Sequence, residues 1–415
     1  MGLNSTPSSD RIHIGFFGKR NAGKSSVINA VTGQSLSIVS EVKGTTTDPV
    51  YKAMELLPLG PVMMIDTPGL DDEGALGKLR MQKSDQVLNK TDIAVLVVDA
   101  VSGMTVEDHA ILRRFRQKSI PFLVVYNKLD LVNPTSRGET VPAETVPAET
   151  VPADNVLWIS TETGENIHEL KELIAKQVPT GQSKYPIVAD LLQPSDFVVL
   201  VVPIDTAAPK GRLILPQQQT IRDILEANGA AIVIKETELS ETLKRLGKAP
   251  RLVITDSQVF ARVSSETPAE IPLTSFSILF ARHKGNLALS VKGVTAIDRL
   301  QDGDTVLISE GCTHHRQCDD IGTRKLPRWM EEYTGKKLAF QFTSGTEFPE
   351  EFAGIKMVVH CGGCMLNERE MKYRLQCAED QALPMTNYGI LIAYMQGILA
   401  RSLAPFPDFA TYLTK

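Results

Sequence analysis

The first chemical motif of this sequence is a phosphate-binding loop near its start. Gly18 and Gly23 frame four residues and are followed by Lys24 and Ser25. Glycines let backbone N–H groups wrap phosphate oxygens, the lysine adds a positive charge, and the serine hydroxyl can bind Mg²⁺. The loop follows the apolar run Ile12–Phe17 and precedes a helical pattern, which is the context that such a loop requires. We therefore expect a nucleoside triphosphate bound with magnesium.

Two further segments predict contacts to magnesium and to the γ-phosphate. Asp66 follows an apolar strand pattern and should hold Mg²⁺, while the N–H of Gly69, at the end of the same turn, could sense the γ-phosphate. Residues 44–48 contain three threonines and lie where a first switch belongs. Among them we expect Thr46 to reach the metal. Ser25, Thr46 and Asp66 are thus the predicted magnesium ligands.

Two loops later in the chain predict that the base is guanine. The carboxylate of Asp130 can accept hydrogen bonds from guanine N1–H and from its exocyclic amine, a donor pair that adenine lacks. A second loop, starting at Ser160, follows the next strand pattern and is expected beside the base. The residues expected to bind the nucleotide are Gly18, Asn21, Ala22, Gly23, Lys24, Ser25, Ser26, Thr46, Asp66, Gly69, Asn127, Lys128, Asp130, Ser160 and Thr161.

Residues 11–176 resemble the GTPases of tRNA modification and ribosome assembly. Leu70 stands where Ras-type enzymes place a glutamine that orients water. Asn21 stands where cation-activated relatives place a ligand for K⁺. The resemblance implies slow GTP hydrolysis that K⁺ stimulates, with Lys24 and Asn21 as the catalytic residues. K⁺ beside Asn21 would take the role of an arginine finger.

The second chemical motif is a cluster of cysteines in the C-terminal part of the chain, where all five cysteines lie. Cys361 and Cys364 form a C-x-x-C pair directly after His360, and Cys312 stands two residues before His314. Thiolates with imidazole suit zinc or an iron–sulfur cluster, and a close thiol pair also serves redox chemistry. Spacing alone leaves zinc and a 4Fe-4S cluster on three cysteines equally open.

The elements that must position these motifs alternate between strand and helix patterns along the whole chain. Such alternation predicts parallel sheets covered by helices, and we expect three consecutive α/β domains, the first with a mostly parallel sheet. The predicted domains are the nucleotide domain at residues 1–180, a structural or dimerisation domain at 181–276, and the cysteine-bearing domain at 277–415. In the last, strand patterns end just before the cysteines, at the sheet edge where ligands collect.

Two local patterns in these domains add expectations about the backbone. Residues 139–153 are three tandem copies of Glu-Thr-Val-Pro-Ala, which predicts an extended insertion in a surface loop of the first domain. Ile278–Leu300 has helical spacing, and we expect an interruption near Lys292 and Gly293.

Composition excludes some classes of protein. The 415 residues carry a net charge of −5 and no basic run, which disfavours a nucleic-acid partner. No apolar stretch is long enough to span a membrane, and the polar first residues predict no signal peptide. Clustered cysteines indicate a reducing compartment, so we expect a cytoplasmic location.

Taken together, the motifs resemble one family over the whole chain, the maturation GTPases of FeFe hydrogenases, HydF. Its cysteine pattern reads here as Cys312-Thr313-His314 and His360-Cys361-Gly362-Gly363-Cys364. The resemblance implies a 4Fe-4S cluster on Cys312, Cys361 and Cys364, with His314 or His360 as candidates for the fourth position. It also implies a homodimeric scaffold that carries a di-iron precursor, built with two radical-SAM maturases, to apo-hydrogenase.

Two other hypotheses compete with this one. The first is a tRNA-modification or ribosome-assembly GTPase with a structural zinc site, which would need a basic RNA-binding surface. The second is a redox-sensing regulator in which Cys361 and Cys364 form a disulfide.

Overall fold

The computed structural model describes residues 6–33, 48–69, 84–132, 151–178, 185–204, 213–311, 320–345, 347–349 and 351–413. Several predicted features lie outside these ranges, among them Thr46, Cys312, His314 and most of the repeat at 139–153. Contacts divide the chain into two compact units, residues 1–180 and 181–415.

The first unit contains a six-stranded sheet in the order β2-β3-β1-β4-β5-β6. All neighbouring strands run parallel except β2 and β3. The strands are β1 (Ile12–Phe17), β2 (Val50–Leu56), β3 (Gly60–Asp66), β4 (Ile93–Asp99), β5 (Phe122–Asn127) and β6 (Val156–Trp158). Helices that lie wholly within the described residues of this unit include α1 (Lys24–Thr32), α2 (Val106–Gln117) and α3 (Ile167–Lys176).

Central strands of this sheet are apolar on both sides because helices cover both faces. Every residue of β4 except the last is buried, and the same holds for β1 except its first residue. Side chains of one face pack with α1 and α3, and those of the other pack with α2, in two separate apolar clusters. This double cover fixes the carboxyl ends of β1, β3, β4 and β5 along one edge, where the nucleotide motifs begin.

His13 makes the stability of the first unit sensitive to acid. The ring is buried in β1, and burial lowers its pKa from the usual 6.5 to about 4. Below pH 6.5 the unfolded chain therefore binds a proton that the folded chain does not, and the free energy of unfolding falls as the pH drops toward 4. The expected slope is up to about 1.4 kcal/mol per pH unit.

Urea unfolding at a series of pH values, followed by the fluorescence of Trp158, measures this slope. Trp329→Phe provides a background in which Trp158 alone reports, since the chain has 2 tryptophans. His13→Phe should flatten the dependence between pH 6.5 and 4. An equally steep loss of stability in that variant would assign the effect to other groups.

The second unit contains two four-stranded sheets whose strands all run parallel. The order is β10-β9-β7-β8 in one and β12-β11-β13-β14 in the other. The strands are β7 (Phe197–Val201), β8 (Ala230–Ile234), β9 (Leu252–Thr255), β10 (Leu273–Ser275), β11 (Thr305–Glu310), β12 (Ala339–Ser344), β13 (Ile355–His360) and β14 (Met385–Asn387). The helices are α4 (Leu215–Glu226), α5 (Leu239–Arg245), α6 (Phe260–Glu266), α7 (Phe276–His283), α8 (Leu287–Val294), α9 (Leu326–Thr334), α10 (Glu368–Asp380), α11 (Tyr388–Met395), α12 (Leu399–Leu403) and α13 (Pro407–Ala410).

One apolar core runs through both sheets of the second unit. It includes Val199 and Ile254 of the first sheet and Val306 and Val359 of the second, all fully buried. The predicted α/β fold with mostly parallel sheets is confirmed, while the predicted division at residue 276 stays a prediction. Among the described residues, no helix is long and apolar enough to cross a membrane.

The helical segments of Ile278–Leu300 are interrupted at two places. One break lies between α7 and α8, where Gly285 has a φ of +76°. The other lies next to the predicted Lys292 and Gly293, where α8 ends at Val294 and a 3-10 helix, Thr295–Arg299, follows. Gly293 is inside the helix because β14 passes close to it: a Cβ there would lie 2.2 Å from the carbonyl oxygen of Met385. The glycine therefore serves close packing of a helix on a strand and does not end the helix.

Candidate functional site

The phosphate-binding loop joins β1 to α1. Lys24, the first residue of α1, is buried, and its Nζ donates to the carbonyl oxygens of Gly18 at 2.9 Å and Lys19 at 2.7 Å. Gly23 has a φ of +94°, and a Cβ there would lie 2.2 Å from Nδ2 of Asn127. No residue with a side chain fits at Gly23. The two hydrogen bonds hold the Lys24 ammonium group against the backbone of the loop.

Two other residues of this loop differ in exposure. Asn21 is exposed and has a φ of +61°, a left-handed conformation that asparagine tolerates better than most residues. Ser26 is half-buried on α1, one residue beyond Ser25. The Asn21 side chain is therefore accessible to a ligand at the outer rim of the loop.

The structure brings together two of the three predicted magnesium ligands. Ser25 Oγ donates to Asp66 Oδ2 at 2.6 Å, across the gap between α1 and the end of β3. Thr67, the next residue, is fixed by a hydrogen bond from its Oγ1 to the carbonyl oxygen of Phe16 at 2.6 Å. Gly69 follows, half-buried. A hydroxyl and a carboxylate oxygen are the ligand types that Mg²⁺ prefers, so two of the predicted ligands lie together.

The predicted base-binding loops also meet. Asn127 is buried at the end of β5, donates to the carbonyl oxygen of Ala22 at 3.2 Å and accepts from the N–H of Thr161 at 3.2 Å. Ser160 Oγ donates to Asp130 Oδ1 at 2.5 Å. Asn127 therefore ties the phosphate loop to both base loops, and Ser160 orients the carboxylate of Asp130.

Sequence reasoning missed Asp99, which positions one of these residues. Lys128 Nζ donates to Asp99 Oδ2 at 2.5 Å, and Lys128 itself has a left-handed φ of +69°. Burial acts to raise the pKa of Asp99, but hydrogen bonds from Lys128 and from backbone N–H groups outweigh burial and hold that pKa below its usual value. Only its position could have indicated this role in the sequence, because Asp99 is the last residue of β4, the strand next to β5.

The C-x-x-C pair lies just past the end of β13. The Cys361 N–H donates to the carbonyl oxygen of Ser309, at 2.9 Å, which anchors the loop to β11. Cys361 Sγ accepts from the N–H groups of Gly311 at 3.0 Å and Gly363 at 3.4 Å. Burial raises the pKa of both Cys361 and Cys364, and in Cys361 the two N–H donors oppose that rise. The two cysteines form no disulfide with each other.

His360 has both ring nitrogens engaged by protein groups. Nδ1 donates to the carbonyl oxygen of Cys361 at 2.6 Å, which leaves Nε2 as the acceptor of a 3.0 Å hydrogen bond from Arg374 Nη1. Burial and the positive charge of Arg374 lower the pKa of His360 to about 3, so the ring is neutral. In this arrangement His360 holds the backbone of Cys361 and offers a metal no lone pair.

Arg374 was also missed by sequence reasoning. It is fully buried and donates from Nε at 3.0 Å and Nη2 at 2.9 Å to Glu370 Oε1, one turn earlier on α10. Its Nη2 also donates to the carbonyl oxygen of Gly345 at 2.5 Å. Since a buried charge is costly unless paired, Glu370 compensates the charge of Arg374, and the hydrogen bond from Arg374 to His360 joins α10 to the end of β13.

The third cysteine of the described residues, Cys377, lies away from the C-x-x-C loop and has a structural role. Cys377 lies on α10 and packs against the apolar cluster that contains Leu307 and Val358. Within the described ranges, no group of three or more His, Cys, Asp or Glu side chains is placed to hold a metal ion. Cys312 and His314, which the sequence adds to the site, fall outside those ranges.

Family models match three successive parts of the chain. Residues 13–128 match the 50S ribosome-binding GTPase family. Residues 187–285 match the hydrogen maturase F dimerization domain, and residues 288–405 match the hydrogen maturase F tetramerization domain.

Curated relatives are similar to part of this chain. The tRNA modification GTPase MnmE of Nitrosospira multiformis is 35% identical over 181 residues, 42% of this chain and 37% of that protein. GTPase Der of Kosmotoga olearia is 29% identical over 184 residues, 41% of each chain. The chain thus spans less than half the length of these two relatives.

Among solved structures, a variant of Era from Aquifex aeolicus bound to GDP and AlF4⁻ is 20% identical. The match has a TM-score of 0.34 and covers 57% of this chain and 98% of the other. The family models say more about the family than these single relatives do. A match to a GTPase domain is followed by matches to both hydrogen maturase F domains. The chain therefore belongs to the hydrogen maturase F family.

Proposed function

We propose that this protein is a GTP-hydrolysing scaffold that binds a 4Fe-4S cluster and assembles or transfers the di-iron precursor of the FeFe-hydrogenase active site. The observation that supports it most is the environment of Cys361. Its sulfur accepts two backbone N–H groups at the carboxyl edge of a parallel sheet, within hydrogen maturase F domains. Hydrogen bonds to sulfur are one of the means by which proteins tune iron–sulfur clusters.

The residues present fit a thiolate-bound cluster. Cys361 and Cys364 are free thiols next to a buried lysine, Lys284, whose charge favours the thiolate form of Cys364. Cys312 would supply the third thiolate. Because His360 is engaged on both nitrogens, we assign the fourth position to His314 or to an exchangeable ligand. When bound, the cluster supplies an iron to which the precursor can attach.

GTP acts in this proposal as a timer for contacts between proteins. Lys24 leaves the carbonyl oxygens of its loop for the β- and γ-phosphates, while Ser25 and Asp66 hold Mg²⁺. Asn127 and Asp130 hold the guanine. Loss of the γ-phosphate then releases the contacts made around Gly69, and hydrolysis is slow.

Asn21 makes hydrolysis dependent on K⁺ in this proposal. An arginine finger increases the rate of GTP hydrolysis by a factor of about 10³–10⁵. K⁺ bound to the side-chain oxygen of Asn21 would supply part of that effect. We expect GTP hydrolysis to be at least about tenfold faster in KCl than in NaCl. In Asn21→Gly the ratio should fall to about one, because glycine keeps the left-handed backbone and removes the ligand.

Asn166→Gly is the matched control, since Asn166 is also left-handed and lies at the start of α3. Its ratio of rates in the two salts should equal that of the unchanged protein. A ratio that survives in Asn21→Gly would contradict the assignment of K⁺ to this residue.

The proposed partners are radical-SAM maturases, apo-hydrogenase and a second copy of this chain, with no nucleic acid and no membrane. The dimerization match at residues 187–285 includes β8, which is one of the two edge strands of its sheet. Val233 of this uncharged strand is 42% exposed, and edge strands without charges pair readily with another chain. We therefore place the homodimer contact at β8. We expect the dimer to form in the cytoplasm. Sedimentation equilibrium measures whether the protein is a dimer.

Elemental analysis of protein reconstituted without oxygen tests the proposed function. About four irons and four sulfides per chain are expected. Zinc in stoichiometric amount without sulfide would instead support the RNA-related GTPase with a structural zinc. Loss of both free thiols on mild oxidation, without bound iron, would support the redox regulator.

A further inference from the structure

Lys284 is a buried cation placed directly beneath the cysteine loop. It follows α7, and only 9% of its surface is exposed. Its Nζ donates to the carbonyl oxygen of Gly363, in a short hydrogen bond, and to that of Leu366 at 3.2 Å. These two carbonyl groups stand on either side of Cys364 in the sequence, so one ammonium group fixes the backbone around that thiol.

The charge of Lys284 also acts on the chemistry of the loop. Its Nζ contacts the backbone one residue before and two residues after Cys364, so its charge lies beside the proposed cluster. Removing an ammonium group from water is costly unless anionic or strongly polar groups receive it. The two carbonyl dipoles are such groups, and a cluster held by thiolates would add negative charge beside them.

We propose that Lys284 is a positioning residue that clamps the loop from Cys361 to Leu366 and sets the reduction potential of the cluster bound there. The clamp itself follows from contacts in the structure, whereas the effect on potential rests on the proposed function. A positive charge beside the cluster stabilises its reduced form, which carries one more negative charge.

The position of Lys284 gives the clamp a second property. Lys284 lies within the dimerization match at residues 187–285, while the loop that it holds lies within the match at 288–405. The hydrogen bonds from its Nζ therefore cross from one family domain to the other. A shift of α7 in the dimerization domain would move the carbonyl anchors of Cys364 directly.

Lys284→Met and Lys284→Gln test the proposal, because both remove the charge and glutamine can still donate to one carbonyl. Lys292→Met is the matched control: this lysine is exposed on α8, over the Tyr412 ring. In the reconstituted protein, a redox titration monitored by electron paramagnetic resonance measures the reduced fraction. At a fixed potential, the ratio of reduced to oxidised cluster should fall about tenfold in both variants, equal to about 59 mV for one electron.

A second measurement needs no cluster. Hydrogen exchange in the metal-free protein should become at least about tenfold faster for the peptide from Cys361 to Leu366 in Lys284→Met, and remain unchanged in Lys292→Met. Unchanged exchange in Lys284→Met would overturn the clamp. Exchange that accelerates while the potential of both variants stays that of the unchanged protein would overturn the electrostatic role. If the unchanged protein takes up neither iron nor sulfide, the proposed function and the role in potential both fail, and exchange alone decides the clamp.

Discussion

Cys361→Ser should lose nearly all of the iron that the unchanged protein takes up, from about four atoms per chain to less than one. The sulfur of Cys361 is the acceptor of the Gly311 and Gly363 N–H groups, so its loss removes a metal ligand and the atom around which the loop is arranged. A serine hydroxyl is a poor ligand for iron in a cluster that cysteine thiolates hold. Iron and acid-labile sulfide, assayed after anaerobic reconstitution, give the result.

Cys377→Ser is the matched control for this experiment. Cys377 is also a half-buried cysteine, but it lies on α10 and packs against an apolar cluster. Its variant should keep the full iron content and lose only a little stability. Iron retained at about four atoms in Cys361→Ser, or lost equally in Cys377→Ser, would show that the cluster is held elsewhere.

The second large effect is expected at the base-binding loop. Asp130→Asn should weaken GTP binding by at least about a hundredfold, because the amide cannot accept both hydrogen bonds that guanine N1–H and the exocyclic amine donate. The same amide can donate to the C2 carbonyl of xanthine. The variant is therefore expected to bind XTP more tightly than GTP, and competition against a fluorescent guanine nucleotide measures both affinities.

The control variant Asp154→Asn makes the same chemical change at an exposed position. It should leave both affinities unaltered. If Asp130→Asn bound GTP as the unchanged protein does, the base would have to lie away from the loop that Ser160 and Asn127 hold together.

Strongly patterned elements could be predicted from the sequence. The predicted run Ile12–Phe17 coincides with β1 of the structure, because it is apolar and has clear ends. The structure adds β2, α9 and β14, which the sequence did not predict. β2 is an edge strand with mostly exposed residues, and β14 has only three residues, so neither carries a long apolar pattern.

The candidate site could be predicted where its residues belong to contiguous motifs. Asp99, Lys284 and Arg374 belong to none, since each reaches the site only through the fold. Arg374 and Glu370 also form the same i,i+4 pattern as Arg328 and Glu332, yet the first pair is buried and the second exposed. Sequence spacing therefore cannot tell a buried ion pair from a solvated one.

The shared apolar core of the second unit has a bearing on how this part of the protein can be divided. Val199 and Ile254 pack in the same cluster as Val306 and Val359, although they belong to regions that match separate family domains. A protein fragment that ended between those regions would expose half of this apolar core to water. A recombined or truncated protein must therefore keep both regions together, or it must gain another apolar surface in place of the missing one.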